Sequence, residues 1–439
     1  MVRFQEENDK FMEMFIEKTF IEGYGKKFPN WDRLELMLDT RCTLACRYCY
    51  YNNPKHDKYL YPVKLKNPEE YVKNAKMLFE WLYYEKGVVP KGIDIFGGEV
   101  TVKSEFYGIL DAIEEVFGDR AKEISVVVPS NYSFLLSEYW TDKMEEYLKK
   151  SRVRLALSAS IDGKYLETIN RPLISNPEKD PRDDNWYDTL FEFNKKYGFG
   201  FHPMIYANGI GLWKKNFLWF QNMFDKHGIP WWSIYLLEVR NPEWTREQIR
   251  EFGDFIDFLV KWTFKNRLGE NVRKYVNFTF KLRGYNILNP FSSTGRGLGC
   301  SIQAMLYVRL SDLAIVPCHR TSYDEFVYGY FKTENDKIVG VEAKNIELLN
   351  AVYSFVAENQ PYCEQCVIKE VCSHGCLGAQ YEFTGDLFTP IPTVCALEHE
   401  KIRRIIKATK DIGVYDDIVN ELRLERQIVW RRIEEALGV

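Results

Sequence analysis

The sequence predicts an α/β protein: a run of strand–helix units, then a cysteine-rich segment. Three observations carry this. Between about Leu34 and Trp262, short apolar runs alternate with helical patterns six times. In that half, the polar and glycine-bearing residues of interest sit just past the apolar runs. All ten cysteines fall in or around two clusters, and none stands alone as a core residue.

LELML (Leu34–Leu38) reads as the first strand and leads into Cys42. A helix follows, with Asn67 as N-cap, Pro68 at its first position, Glu69 and Glu70 in its first turn, and an end near Gly87. IDIF (Ile93–Phe96), ISVVV (Ile124–Val128), RLALSAS (Arg154–Ser160), FHPMIYA (Phe201–Ala207) and SIYLLEV (Ser233–Val239) complete the six strands. The helix after the last opens on Thr245 and Gln248, spaced as a capping box. Repeated strand–helix units imply parallel pairing through right-handed crossovers, in an open doubly wound sheet or a partial barrel. Both gather ligands at the carboxyl ends of the strands. Cys42, Gly97–Glu99, Ser130–Asn131, Ser160–Asp162, Asn208 and Glu238 all stand there. The connection Asn170–Asp184, with three prolines and many acids, is expected as a loop at the mouth of the site.

The expected organisation is an N-terminal extension over 1–33, the strand–helix core over 34–262, a linker over 263–290, a cysteine-rich domain over 291–397, and a charged helical segment over 398–439. Turn-rich and carrying seven of the cysteines, the fourth part reads as a domain held by metal rather than by a large core. The whole chain is 46% hydrophobic and 28% charged, as a globular protein with a real core requires. Its net charge of −4 argues against a surface built to coat nucleic acid. No stretch approaches the roughly 18 apolar residues of a membrane span, and MVRFQEENDKFMEMF is too acidic for a secretory signal. A cytoplasmic chain with reduced thiols is the expectation, in which closely spaced cysteines point to metal or redox chemistry.

Cys42, Cys46 and Cys49 form C-x3-C-x2-C. Three thiolates can hold three irons of a cubane cluster and leave the fourth open to a small molecule. A structural zinc site would need a fourth Cys or His, for which His56 is the nearby candidate. CTLACRYCY resembles the signature of the radical S-adenosylmethionine (radical SAM) enzymes, with Tyr48 as its aromatic position. FGGEV (Phe96–Val100) is similar to that family's Gly-Gly-Glu motif, although Val100 replaces the usual proline. SASIDG (Ser158–Gly163) resembles its serine-bearing strand end. The resemblance implies a partial (β/α)6 TIM-like barrel. It also implies a SAM site in which Gly97, Gly98 and Glu99 meet the amino group, Ser160 the ribose and Arg171 the carboxylate. Tyr48 would lie beside the cluster. The implied chemistry is reductive cleavage of SAM to a 5′-deoxyadenosyl radical that abstracts a hydrogen atom from substrate.

Cys363, Cys366, Cys372 and Cys376 form C-x2-C-x5-C-x3-C, with Cys300 and Cys318 before them and Cys395 after. This pattern resembles the SPASM extension of radical SAM enzymes, which carries two further iron–sulfur clusters, three 4Fe–4S clusters in all. LAIVPC (Leu313–Cys318) matches its apolar-Pro-Cys lead-in, except that Leu313 stands where relatives usually have glycine, so a different turn is expected. The resemblance implies that Cys363, Cys366, Cys372 and Cys395 ligate an outer cluster. Cys300, Cys318 and Cys376 would hold an inner one, whose fourth position is open or filled by a non-cysteine ligand. His319 replaces the acid that acts as base in the sulfatase-maturing relatives. It is the candidate proton acceptor, against the reading of a surface histidine.

The resemblance further implies a peptide or protein substrate that is cross-linked, oxidised or cleaved, and an external electron donor such as flavodoxin or ferredoxin. About 33 residues precede the first strand, which is expected to leave no room for a leader-binding domain, so either a separate leader-binding protein presents the peptide or recognition relies on the barrel mouth and the C-terminal segment. A small-molecule substrate, a multi-cluster electron carrier and a zinc-stabilised interaction protein are the alternatives. Metal analysis after anaerobic purification discriminates among them. Iron with acid-labile sulfide is expected, whereas zinc alone would leave only the last.

Overall fold

The computed structural model describes residues 2–18, 33–52, 67–175, 180–269, 302–303, 305–356, 360–372 and 374–439. The chain divides into two compact units, one drawing on Met1–Ser160, Pro172–Phe199 and Cys300–Phe355, the other on Ile161–Arg171, Gly200–Gly299 and Val356–Val439.

In the first unit, α1 (Val2–Ile16) precedes β1 (Arg33–Met37); α2 (Pro68–Glu80), β2 (Gly92–Phe96), α3 (Ser104–Phe117), β3 (Ser125–Ser130), α4 (Glu138–Lys150) and β4 (Arg154–Ala159) then alternate. The four strands pair in parallel, β1 with β2, β2 with β3 and β3 with β4, as the strand–helix alternation predicts. The start of α2 follows the sequence reading: Asn67 Oδ1 accepts from Glu69 N at 3.1 Å with Pro68 at the first helical position. Leu34, Leu36, Ile93, Ile95, Val126, Val128, Leu155 and Leu157 form one face of the sheet and are buried. The opposite face carries Glu35, Met37, Asp94, Phe96, Val127, Pro129, Ala156 and Ser158, and of these only Glu35 and Met37 are fully buried. That period of two separates an apolar core face from a face able to receive a ligand.

After the first unit's α6 (Asp184–Tyr197), the chain passes through β5 (Gly198–Phe201) into the second unit, which also holds the short α5 (Glu167–Asn170). There the fifth and sixth expected strands shrink to β6 (Met204–Ile205) and β7 (Leu237–Glu238), paired in parallel. Pro203, which has no N–H to give a ladder, separates β5 from β6. α7 (Trp213–His227) and α8 (Arg246–Thr263) follow them. The expected capping box is present at the start of α8, with Thr245 and Gln248 bonding reciprocally.

Part of the cysteine-rich segment continues the first sheet. β8 (Leu306–Arg309) pairs in parallel with β1, and β9 (Ala314–Val316), β10 (Gly329–Glu334) and β11 (Lys337–Ala343) add on antiparallel. Every residue of β8 and β9 is buried, so neither shows the alternation by which a strand announces itself. Cys318, just past β9, packs on a cluster of Met37, Met305, Tyr307, Ala314, Val316 and Val327. This stretch thus has an apolar core of its own. α1 closes the outer edge at β11, with Gln5 donating to Ala343 O at 2.7 Å and Ala343 N to Asp9 at 2.8 Å.

Further on come α9 (Ile346–Tyr353) in the first unit and, in the second, α10 (Leu377–Thr384), α11 (Pro392–Asp411), α12 (Tyr415–Asn420) and α13 (Leu424–Leu437). α11 packs along α8, burying Leu397, Ile402, Ile405 and Ile406 and pairing Arg404 with Asp254 at 2.8 Å.

The turn between β8 and β9 keeps the shape for which glycine is suited: Leu313 takes φ 55° while its side chain stays 3% exposed. A left-handed non-glycine residue costs roughly 1–2 kcal/mol, offset here by burial of the leucine. Leu313→Gly and Leu313→Ala should both lower the melting temperature. The glycine variant should be at least as stable as the alanine one, the reverse of the ordinary order. A clearly more stable alanine variant in thermal melts would contradict the conformation.

Candidate functional site

The C-x3-C-x2-C loop leaves β1 and settles on the turn after β2. Gly97 and Gly98 take φ 130° and 41°, and a Cβ on Gly98 would stand 1.8 Å from Arg41 O. No other residue lets the two backbones come so close. Leu38 N donates to Phe96 O at 2.9 Å and Glu99 N to Arg41 O at 3.0 Å, which fixes the loop at both ends of the contact. Below it Lys103 Nζ lies 2.8 Å from Asp39 Oδ1 and also donates to Asp39 O and Gly97 O, at 3.2 and 3.3 Å. Lys103 and Asp39 are 6% and 4% exposed. Burial works to raise Asp39, yet the Lys103 charge and its hydrogen bonds hold it below its ordinary range, while burial lowers Lys103 against the pull of Asp39.

Glu99 is 1% exposed, and its carboxylate is already engaged. Oε1 accepts from Thr101 N and Oγ1 and from Ser130 Oγ, at 3.2, 2.6 and 3.0 Å, and Oε2 from Asn131 N at 2.6 Å. Burial pushes this carboxyl above its ordinary pKa, and the four donors pull it back. Glu99 therefore ties the end of β2 to the end of β3. Asn131, so placed, donates from Nδ2 to Thr43 Oγ1 at 3.0 Å and reaches Cys42 Sγ at 3.8 Å. Leu44 N donates to the same sulfur at 3.5 Å. Tyr48 is half-buried within the turn in which Cys49 N donates to Cys46 O at 3.1 Å.

The loop after Arg171 braces the triplet from its other side. Ala45 N donates to Pro172 O at 2.9 Å, Ile174 N donates to Thr43 O at 3.0 Å, and Leu44 bridges Leu173 antiparallel. The connection expected at the mouth of the site thus begins as a clamp on the cysteine loop. Ser160 N donates to Ser130 O at 2.7 Å at the end of β4, in the same unit. Arg171 belongs to the second unit and is 6% exposed, 4.0 Å from Asp162 and 3.6 Å from Glu167. Burial and the Arg171 charge push His202 down to about 4, so it stays neutral.

His319 is no plain surface residue. Its Nδ1 lies 2.7 Å from Glu35 Oε1 on β1, and its ring stacks on Phe96 at 4.3 Å and 7°. Tyr50, next to Cys49, is 5.8 Å from the same ring. An aromatic and charged bridge thus joins the triplet loop to the segment of Cys318. Thr321 N donates to Cys318 O at 3.1 Å, and buried Arg309 holds Ser322 O at 2.6 Å.

In the second unit, Cys363, Cys366, Cys372 and Cys395 act on one another electrostatically. Burial comes first and neighbouring thiols add to it, so that Cys363 is raised and Cys395 reaches about 11. Cys372 is pushed up as well, by burial and then by Glu398. His399 Nε2 lies 3.4 Å from Cys366 Sγ, and His374 N donates to Cys372 Sγ at 3.3 Å. The backbone N–H of His374 directed at Cys372 favours a thiolate there, against the burial that opposes it. No disulfide joins the nine described cysteines. Cys300 and His56 lie outside the described residues, as does most of the 263–290 linker.

No family model and no curated protein matches the sequence. Among solved structures, the sulfatase-maturing enzyme anSMEcpe with bound AdoMet superposes at a TM-score of 0.58 and 15% identity, covering 91% of this chain and 98% of that one. Its native form gives 0.57 and 16%, over 89% and 100%. Streptococcus suis SuiB bound to S-adenosylmethionine follows at 0.45 and 14%, over 84% and 75%. The chain shares the fold of anSMEcpe. Cys42, Gly97, Glu99, Asn131 and Ser160 all stand at or just past the carboxyl ends of β1 to β4.

Two buried-strand carboxylates left a mark in the sequence. Glu35 interrupts LELML and Asp94 interrupts IDIF, each in an otherwise apolar run, and the two residues are register partners. Burial outweighs the Arg33 pair and raises Asp94 to about 6, with Glu35 adding to the rise and His319 opposing it. Its folded pKa lies above the ordinary 3.8. The stability this group contributes is therefore complete below about pH 4 and is lost as pH rises through about 6. Two pKa units amount to about 3 kcal/mol. Asp94→Asn should flatten the stability profile between pH 4 and 7 by that order. Denaturation midpoints that run parallel to wild type would refute the assignment.

Proposed function

We propose that this chain is a radical SAM enzyme that modifies a peptide or protein. The observation that carries the reading is the placement of the C-x3-C-x2-C loop on the Gly97–Gly98 turn, with Leu44 N and Asn131 Nδ2 directed at the first sulfur. Cys42, Cys46 and Cys49 would hold a 4Fe–4S cluster with one iron left for SAM. When bound, cluster and SAM together supply a 5′-deoxyadenosyl radical for hydrogen abstraction. AdoMet in anSMEcpe, which has the same fold, supports this.

The chain's own residues bind and orient. Backbone at Gly97–Gly98, with Glu99, Ser160 and Arg171, makes the candidate SAM contacts. Glu99 also anchors the strand ends through its four internal donors. Tyr48 packs beside the cluster. Cys363, Cys366, Cys372 and Cys395 would hold an outer auxiliary cluster, and Cys318 and Cys376, with Cys300, an inner one. His319, oriented by Glu35, is the candidate proton acceptor for the substrate. A flavodoxin- or ferredoxin-like donor and a separate leader-binding protein complete the proposal. The compartment is cytoplasmic, in keeping with reduced cysteines; among the described residues no helix is long and apolar enough to cross a membrane.

Reduced, reconstituted enzyme should release 5′-deoxyadenosine from SAM. With the right peptide, it should leave a product two daltons lighter for a cross-link or oxidation, or lighter by a whole fragment for excision. Cys42→Ala should abolish both while the C-terminal cysteines keep their iron. His319→Gln should spare SAM cleavage and depress product per 5′-deoxyadenosine. Undiminished turnover in Cys42→Ala would end the proposal.

A further inference from the structure

Four buried charges surround the turn between Cys372 and Cys376, and the activity proposed above uses none of them. Arg240, just past β7, donates from Nη1 to Gly375 O at 2.6 Å and lies 3.4 Å through Nε from Glu238 Oε1. Lys401 on α11 lies 3.6 Å from that same oxygen and 2.7 Å from Glu398 Oε1. The side chains of Arg240, Glu238, Lys401 and Glu398 are 18%, 2%, 9% and 3% exposed. Two cations and two anions thus cancel in a largely water-free space.

The turn they enclose is tight. His374 and Gly375 both take positive φ, 57° and 77°, while Cys376 caps α10 and accepts from Gln380 N at 2.9 Å. The Arg240 charge acts on the sulfurs of both Cys372 and Cys376, and the Glu398 charge acts on Cys372 and Cys395. A buried ionic set of zero net charge is poor value as glue, since apolar side chains of equal volume would stabilise as well or better. Its distinctive effect is on the free energy of any further charge placed beside it, and an electron added to an iron–sulfur centre is such a charge.

We propose that Arg240 is a positioning residue that holds the turn between Cys372 and Cys376 and raises the reduction potential of the outer iron–sulfur centre assigned to Cys363, Cys366, Cys372 and Cys395, with Glu398 as its opposing charge. This rests on the cluster reading of those cysteines. Through its bond to Gly375 O, the guanidinium fixes the backbone that spaces the two sulfurs. Its charge favours the reduced state, and the Glu398 carboxylate disfavours it. The balance between them leaves the centre able to take up an electron released elsewhere in the protein.

The test is a potentiometric titration of the full chain, followed by EPR. A background in which Cys42, Cys46, Cys49, Cys300 and Cys318 are all alanine confines the signal to the outer centre. Against that background, Arg240→Gln should lower the midpoint and Glu398→Gln should raise it. Each shift should be at least a tenfold change in the ratio of reduced to oxidised centre at fixed potential, about 59 mV for one electron. Arg240→Lys keeps the charge and should stay near the parent midpoint. Midpoints that do not move, or that move in the same direction in both carboxamide variants, would overturn the proposal. Should Arg240→Gln fail to hold iron, Arg240→Lys and Glu398→Gln decide it: an unshifted or lowered midpoint in Glu398→Gln is fatal, and so is a shifted one in Arg240→Lys. Iron and sulfide are measured first on the parent, and their absence there would instead refute the cluster reading itself.

Discussion

The loop bearing Cys42, Cys46 and Cys49 rests backbone to backbone on the turn after the second strand, and the first unit's site is arranged around that contact. Two glycines make it possible, because a Cβ on either would strike the carbonyl of Asp39 or Arg41. The contact is held from below by the buried Lys103–Asp39 pair and from the side by Pro172–Ile174. Glu99 extends it to the third strand, and through Asn131 back to Cys42. Each link is short and internal, so the irregular segment that carries the three sulfurs is held at several points.

Charge is used differently in the two units. On the polar face of the first unit's sheet, Glu35 is met by His319 and Asp94 by Arg33, and burial raises Asp94 above its ordinary range. In the second unit, Arg240, Lys401, Glu238 and Glu398 cancel one another beside crowded thiols. Both rely on the same physics: a buried charge is tolerated where a partner or a ligand compensates it.

Some elements were legible because the signal was local. The strand–helix alternation, the Asn67 cap and the Thr245–Gln248 capping box each depend on residues a few positions apart, and the structure shows all three. The strands at Phe201–Ala207 and Ser233–Val239 read longer than they are, since apolar composition does not reveal how far a ladder extends past Pro203. Strands β8 and β9 escaped notice because they are buried on every side and carry no period. Leu313 was expected to change its turn, yet takes the left-handed conformation itself, burial outweighing backbone strain.

What the sequence determined by itself is the chemistry on offer: ten thiols in two spaced sets, two glycines after the second strand, and an alternation that can only make a parallel sheet. These follow from short-range spacing, which the chain carries wherever it goes. Tertiary structure alone decided which groups meet. Glu35 reaches His319 across 284 positions and Arg240 reaches Gly375 across 135. Such contacts depend on how strands and helices pack at long range, and no local pattern records them.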